Sequence, residues 1–331
     1  MYHYTDKILL DKTLLCGKLK RGAVFIADSH YRGGGDCGGD LSSLDFVAKS
    51  SPKSSTKSSP TTKSSIKSNP KNSTESALDF KKDAKKIDTK ASTDLHLLKT
   101  LDFFISLPPH DLPPQVFLMG DIADLFIGHI PSSFRFNRIL IEKINALSQK
   151  CEVFYFEGNH DFGIDSSILP NVKIYPRFLQ PALFDFDGQI YALAHGDIFI
   201  SNGYEIYIKV MNSALTLSAL KLLDICSFGK IYDFANAKVN AKKIHHLEFA
   251  KDSFCSFAKR RVEYYVNAIA KSSKICFGNS EGTSQKIQIR GIIEGHFHIG
   301  QKISQSFGKF GDIEYISLPS FYCQREIFTL L

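Results

Sequence analysis

The sequence predicts an α/β fold, a β-sheet with helices on its faces, and three observations carry that prediction. Apolar runs of strand length alternate with segments of helical spacing, a polar cluster rich in Asp, Asn and His closes most of the apolar runs, and residues 201–275 form a proline-free stretch of helical pattern. At 331 residues and 43% hydrophobic content, the chain can bury one large core, or a core and a smaller appended unit.

The elements follow in order. GAVFIAD (22–28) reads as a buried strand, and DLHLLKTLDFFISL (94–107) as a helix stopped by Pro108 and Pro109. Between them, residues 36–95 are centred on KSSPKSSTKSSPTTKSSIKSNPKNSTES, which has almost nothing to bury and reads as a disordered insertion. QVFLMGD (115–121) reads as a strand, SSFRFNRILIEKINALSQ (132–149) as a helix and EVFYFEGN (152–159) as a strand, giving a βαβαβ rhythm. In such folds the loops at the carboxyl ends of the strands assemble the site. ALFDFDGQIYALAHGD (182–197) adds two strands around Asp187-Gly188, a type I′ hairpin signal, and 289–298, 311–318 and 325–331 read as further strands. The expected organisation is a core of 1–35, 95–200 and 276–331, an insertion at 36–94 and a helical cap at 201–275, with no internal repeat.

Charge and cysteine content narrow the function. The net charge of +7 is local: +3 over 36–95, +6 over 201–275 and −2 elsewhere. A slightly acidic remainder argues against a nucleic-acid surface spread over the protein, whereas the basic 201–275 segment suits phosphates, an anionic membrane face or plain solvation. The cysteines Cys16, Cys37, Cys151, Cys226, Cys255, Cys276 and Cys323 are odd in number, scattered and free of a CxxC pair, which fits a reducing cytoplasm better than a disulfide framework. The N-terminal apolar stretches are broken by Asp6, Lys7, Asp11 and Lys12, too soon for a signal peptide.

The strand ends deliver Asp28 and His30 (ADSH), Asp121 (MGD), Asn159, His160 and Asp161 (GNHD), His195 (HGD), and His296 and His298 (GHFH). Any one cluster suits an ordinary turn. Together they offer imidazoles, carboxylates and an amide oxygen enough for two borderline divalent ions such as Mn, Fe or Zn, without the thiolates of structural zinc.

This ordered set resembles the calcineurin-like metallophosphoesterases. The resemblance covers 22–35 and 95 to about 320 and implies a two-sheet βαβ sandwich with a dinuclear metal centre, manganese first, with iron or zinc as alternatives. It implies that Asp28, His30 and His298 hold one ion, that Asn159, His195 and His296 hold the other, and that Asp121 bridges them. His160 would face the scissile phosphate, oriented by Asp161. One branch fits further: GDIADLFIG (120–128) and SNGYEIYIKVMNSAL after HGD resemble the UDP-2,3-diacylglucosamine diphosphatases of lipid A biosynthesis, which release UMP and 2,3-diacylglucosamine 1-phosphate beneath a helical cap. The chain departs from that branch at His160, where arginine is usual, and at Phe126, near which tryptophan is common; it contains no Trp.

The expected substrate contacts are Phe126, Asn202, Tyr204, Leu217, Leu220, Lys238, Lys242 and Lys243, with Arg260 and Arg261 as further groups able to meet phosphates. IYIKVMNSALTLSALKLLDI (206–225) is apolar but interrupted by Lys209, Lys221 and Asp224, so it suits a lipid groove or an interfacial helix better than a membrane span. The expected partners are a nucleotide-sugar lipid and the inner face of the cytoplasmic membrane, held peripherally, with no nucleic acid and no obligate protein partner. A phosphoesterase for another substrate, or a non-catalytic scaffold of the same fold, are the competing readings; a scaffold would be expected to have lost ligands.

Overall fold

The computed structural model describes residues 15–33, 89–276 and 288–331. Strands β1 (Leu15–Lys18) and β2 (Val24–Ile26) precede helix α1 (Thr89–Ser106), β3 (Gln115–Leu118), β4 (Phe126–Ile127) and α2 (Pro131–Ser148). Next come β5 (Glu152–Phe156), β6 (Asp161–Phe162), β7 (Val172–Tyr175), β8 (Ala182–Phe186) and β9 (Gln189–Ala194). Helices α3 (Asn202–Met211), α4 (Ala214–Cys226), α5 (Lys230–Ala241) and α6 (Lys251–Cys276) follow. The chain closes with β10 (Ile289–Glu294), β11 (Gln301–Ser306), β12 (Asp312–Ser317), α7 (Phe321–Gln324) and β13 (Phe328–Thr329).

Two sheets carry the fold. One runs β13-β2-β3-β5-β7, with β2, β3, β5 and β7 mutually parallel; the other is mixed, in the order β1-β8-β9-β10-β12-β11. Strand alternation decides which layer each side chain joins. Phe25, Phe117, Phe154 and Phe156 point between the sheets, where they meet Phe184, Leu193, Ile293 and Ile316. Phe117 stacks on Phe25 at 4.7 Å and on Phe154 at 4.4 Å between ring centroids. Their neighbours Ile26, Val116, Leu118, Val153 and Tyr155 point the other way, onto Leu97, Leu101, Leu140, Ile144 and Leu147 of α1 and α2. On the far side, Leu183, Ala192, Ile292 and Tyr315 pack on Phe254, Ala258, Val262, Tyr265 and Ile269 of α6. The result is an α/β sandwich of two sheets, as the sequence implies. The hairpin turn also agrees: Asp187 and Gly188 both have positive φ, 51° and 79°.

Four expectations are corrected. α1 begins at Thr89, inside the segment assigned to the insertion, whose remaining residues lie outside those described, as do 1–14. The apolar run 206–225 is two helices, α3 and α4, bent by 53°. Ser213 makes the break by capping α4, its hydroxyl accepting from the Thr216 N–H. Among the described residues, no single helix is long and apolar enough to cross a membrane. α6 belongs to the core rather than to a cap, because its apolar face is what covers the mixed sheet. Phe126, in β4, is fully buried in the core and is not a substrate contact. β1, β7 and β11 were not legible as strands; QKISQS of β11 has one strongly apolar residue and is an edge strand defined by its ladder to β12.

Candidate metal centre

The parallel strands β2, β3 and β5 and the neighbouring β9 and β10 all deliver their carboxyl ends to one place. Main-chain bonds lock the loops together there: Asp28 N–H donates to Gly120 O (3.1 Å) and His30 N–H to Asp121 O (2.9 Å). Asp28, His30, Asp121, His296 and His298 all adopt left-handed φ, between 49° and 67°. For non-glycine residues that costs about 1–3 kcal/mol each, strain that tends to be concentrated at functional sites. Glycines permit the close approach: a Cβ on Gly158 would lie 2.3 Å from Asp121 Oδ1, and one on Gly120 would lie 2.4 Å from His195 Nδ1.

Three groups of ligand atoms form among the described residues; one of them, His30, Asp124 and His160, shares His30 with the first of the two expected from the sequence. Of those two, Asp28, His30 and His298 make one, with His298 Nε2 3.4 Å from both Asp28 Oδ1 and His30 Nε2. Asp121, His195 and His296 make the other, with His195 Nε2 3.6 Å from Asp121 Oδ1. Asn159 Oδ1 and His195 Nε2 are buried without a hydrogen-bond partner. Such orphaned atoms are costly in a native site and are what a metal would satisfy. The ring tautomers agree: His195 Nδ1 meets Met119 O at 2.9 Å and His298 Nδ1 meets His245 O at 2.8 Å. A carbonyl only accepts, so each Nδ1 carries a proton and each Nε2 is the atom turned toward the cluster. His30 Nδ1 is held by the Asp124 carboxylate at 2.8 Å. The residues therefore fit two divalent ions.

The electrostatics point the same way. Burial alone would raise the Asp121 carboxyl, but His195, His160 and His30 hold it well below the usual range. Burial pushes His296 down to about 3, leaving a neutral ring. Burial would also lower His298, yet Asp28 beside it raises the ring to about 10. Two ionised carboxylates thus draw positive charge into a volume with little water.

His160 sits at the edge of this cluster, its ring 5.4 Å from that of His30. Its Nδ1 donates to Asp124 O at 2.8 Å, leaving Nε2 for a ligand. Burial works against its charge, but Asp121 and Asp124 outweigh burial and raise its pKa above the ordinary value. Asp161 does not orient it, which corrects the role expected from the sequence. Asp161 is fully buried, and its carboxylate accepts the N–H groups of Asp121 (2.9 Å), Ile122 (2.7 Å) and Gly158 (2.7 Å) and the Tyr155 hydroxyl (2.6 Å). It shapes the loop rather than holding the His160 ring.

Sequence reasoning missed Asp124 and Arg32. Asp124 holds His30 and accepts from Arg32 Nε at 2.7 Å. Their signal was available: a second Asp three residues after Asp121, and an Arg two after His30. It also missed the α5–α6 loop, where the His245 carbonyl fixes His298 and the His246 ring bonds the His298 carbonyl.

A groove of about 1470 Å³ is lined by Arg177, Phe178, Asn202, Ile208, Leu217 and Lys221 among others, and by none of the ligand residues or His160. Tyr204 stands near it, its hydroxyl 3.4 Å from Asp197 Oδ2. Leu220 does not line it; with Leu217 it packs on Ile127, Ile130, Phe162 and Tyr232. Lys238, Lys242 and Lys243 are exposed on α5 and after it, Lys238 lying over the Phe234 ring at 4.7 Å. Arg261 is buried in an ion pair with Glu294 and cannot meet a lipid phosphate.

No family model matches the sequence, and no curated protein matches it. Among solved structures the chain is similar to a dimetal phosphatase from Danio rerio, at 13% identity and a TM-score of 0.30, over 70% of this chain and 79% of that one. At that score the likeness carries no argument, and the class of site is read from its own geometry: an α/β sandwich with two adjoining groups of His and Asp ligands at the strand ends.

Proposed function

We propose that the chain is a dinuclear-metal phosphoesterase, and that its substrate is UDP-2,3-diacylglucosamine, cleaved at the pyrophosphate to UMP and 2,3-diacylglucosamine 1-phosphate. The observation that carries the reading is the pair of ligand groups, together with the buried, unpartnered Asn159 Oδ1 and His195 Nε2. Two bound divalent ions, manganese first with iron or zinc as alternatives, would supply water activation and charge stabilisation at a phosphoryl group. Asp28, His30 and His298 would hold one, Asn159, His195 and His296 the other, with Asp121 between. His160 gives its Nε2 proton to the leaving oxygen; the Asp124 carbonyl fixes the ring and the surrounding carboxylates favour its charged form.

The groove supports an acylated substrate, since Phe178, Ile208 and Leu217 offer apolar walls while Lys221 brings charge; Arg177 is held in ion pairs with Asp197 and Glu205. His160 in place of arginine favours the alternative, a phosphoesterase for another diester. One assay separates them. Incubated with UDP-2,3-diacylglucosamine and Mn²⁺, the protein should release UMP, and His160→Ala should slow that release by roughly 10²–10⁴ with metal content unchanged. Turnover of a chromogenic diester without UMP release would leave the alternative standing, and a metal-free His160→Ala would make His160 a ligand.

Peripheral membrane binding belongs to the same proposal. α3–α5 carry exposed apolar side chains, among them Val210, Leu215, Leu222, Phe228 and Phe234, with Leu215 82% and Phe228 89% exposed, and the exposed lysines Lys221, Lys230 and Lys238. Apolar side chains and neighbouring lysines are the two signals that stable surface binding needs. The protein should sediment with phosphatidylglycerol vesicles, and Phe228→Asp should weaken this severalfold; a wild-type protein that stays in the supernatant ends the membrane reading.

A further inference from the structure

We infer that Arg261 of α6 is a positioning residue for the ligand pair His195 and His296, an inference that rests on the metal-centre reading above. Arg261 is buried, and all three guanidinium nitrogens are bonded. Nε and Nη2 donate to the two carboxylate oxygens of Glu294 at 2.8 and 2.6 Å. Nη1 donates to Ile198 O at 2.9 Å, and Nη2 also to Gly196 O at 3.0 Å. Glu294 lies two residues before His296, and Gly196 directly follows His195. One planar fork therefore joins the two loops that carry these ligands, a geometry that lysine cannot reproduce.

The loops it joins are in contact. A Cβ on Gly196 would lie 2.9 Å from Gly295 O and 3.2 Å from the His296 Cβ. The guanidinium carbon sits 5.0 Å from the ring centroid of Phe297, the residue between the last two histidines. The Glu294 carboxylate also accepts the Tyr265 hydroxyl at 2.6 Å and the Tyr315 hydroxyl at 2.5 Å, so its position is fixed from three sides. A brace for the sheet alone would be complete at Glu294. The two further bonds, to Gly196 and Ile198, extend it to the His195 loop, and there it fixes the distance between His195 and His296.

The test compares wild type, Arg261→Lys and the double variant R261M/E294Q. Lysine keeps the charge but not the fork; the double variant removes both charges, so no unpaired buried charge remains, while glutamine can still bond both tyrosines. Mn²⁺ stoichiometry by equilibrium dialysis, the paramagnetic resonance spectrum and urea unfolding are measured on each. Wild type should bind two Mn²⁺ with a spin-coupled spectrum. Both variants should keep one tight ion and hold the second roughly 10–100-fold more weakly, the usual scale for losing an outer partner, with the coupled spectrum replaced by that of an isolated ion. Two equally tight ions in both variants would overturn the inference, as would a parallel loss of both sites in step with folding stability. A wild type that binds no Mn²⁺ would instead overturn the metal-centre reading and this inference with it.

Discussion

Asp121→Ala should leave no measurable phosphoesterase activity and should empty the ligand pair it joins. Asp121 is buried, its Oδ1 accepts the His160 N–H at 2.9 Å, and the same oxygen lies 3.6 Å from His195 Nε2. Alanine removes the negative charge that draws cations to the site and releases the loop that presents His160. The loss should therefore exceed the roughly 10²–10⁴-fold that follows removal of one positioned acid or base. Asn, which keeps the shape but not the charge, should restore the His160 loop without restoring metal. Elemental analysis and diester hydrolysis check both statements; Asp121→Ala with full metal content and a tenth of wild-type turnover would remove Asp121 from the centre.

Asp161→Ala should produce the largest loss of stability of any single change at the site. Four donors converge on its carboxylate, three of them main-chain N–H groups of the loops carrying Asp121 and Asn159. Leaving a buried donor unpaired costs about 1–3 kcal/mol, and four such losses are comparable to the whole stability of a domain, about 5–15 kcal/mol. Asp161→Asn should fall between, since its single oxygen can serve two donors while its amide faces the Ile122 N–H. Urea unfolding measures this. A variant within about 1 kcal/mol of wild type that is slow only in catalysis would return Asp161 to the role of orienting His160.

The polar clusters were legible because each ends an apolar run, and parallel strands place such ends side by side. That is why Asp28, His30, Asp121, Asn159, His195, His296 and His298 could be singled out without coordinates. Asp124 and Arg32 were in view but bear on the site through His30 and, for Asp124, also His160, contacts between separate loops that spacing does not encode. Arg261 was misread for a plainer reason. Its helix looks amphipathic and basic, and a buried arginine differs from an exposed one only by the glutamate it meets, 33 residues away.

The sequence by itself determined the alternation of strands and helices, the hairpin at Asp187-Gly188 and the order of ligand types, because these depend on period, turn chemistry and residues close in the chain. Tertiary structure decided what depends on distant partners. It split 206–225 at Ser213 and laid α6 on the mixed sheet. It buried Phe126 and turned Asp161 from a catalytic helper into the anchor of three main-chain N–H groups. In each case the deciding contact is a packing surface or a buried hydrogen bond, and its energy exists only once another part of the chain has excluded water from it.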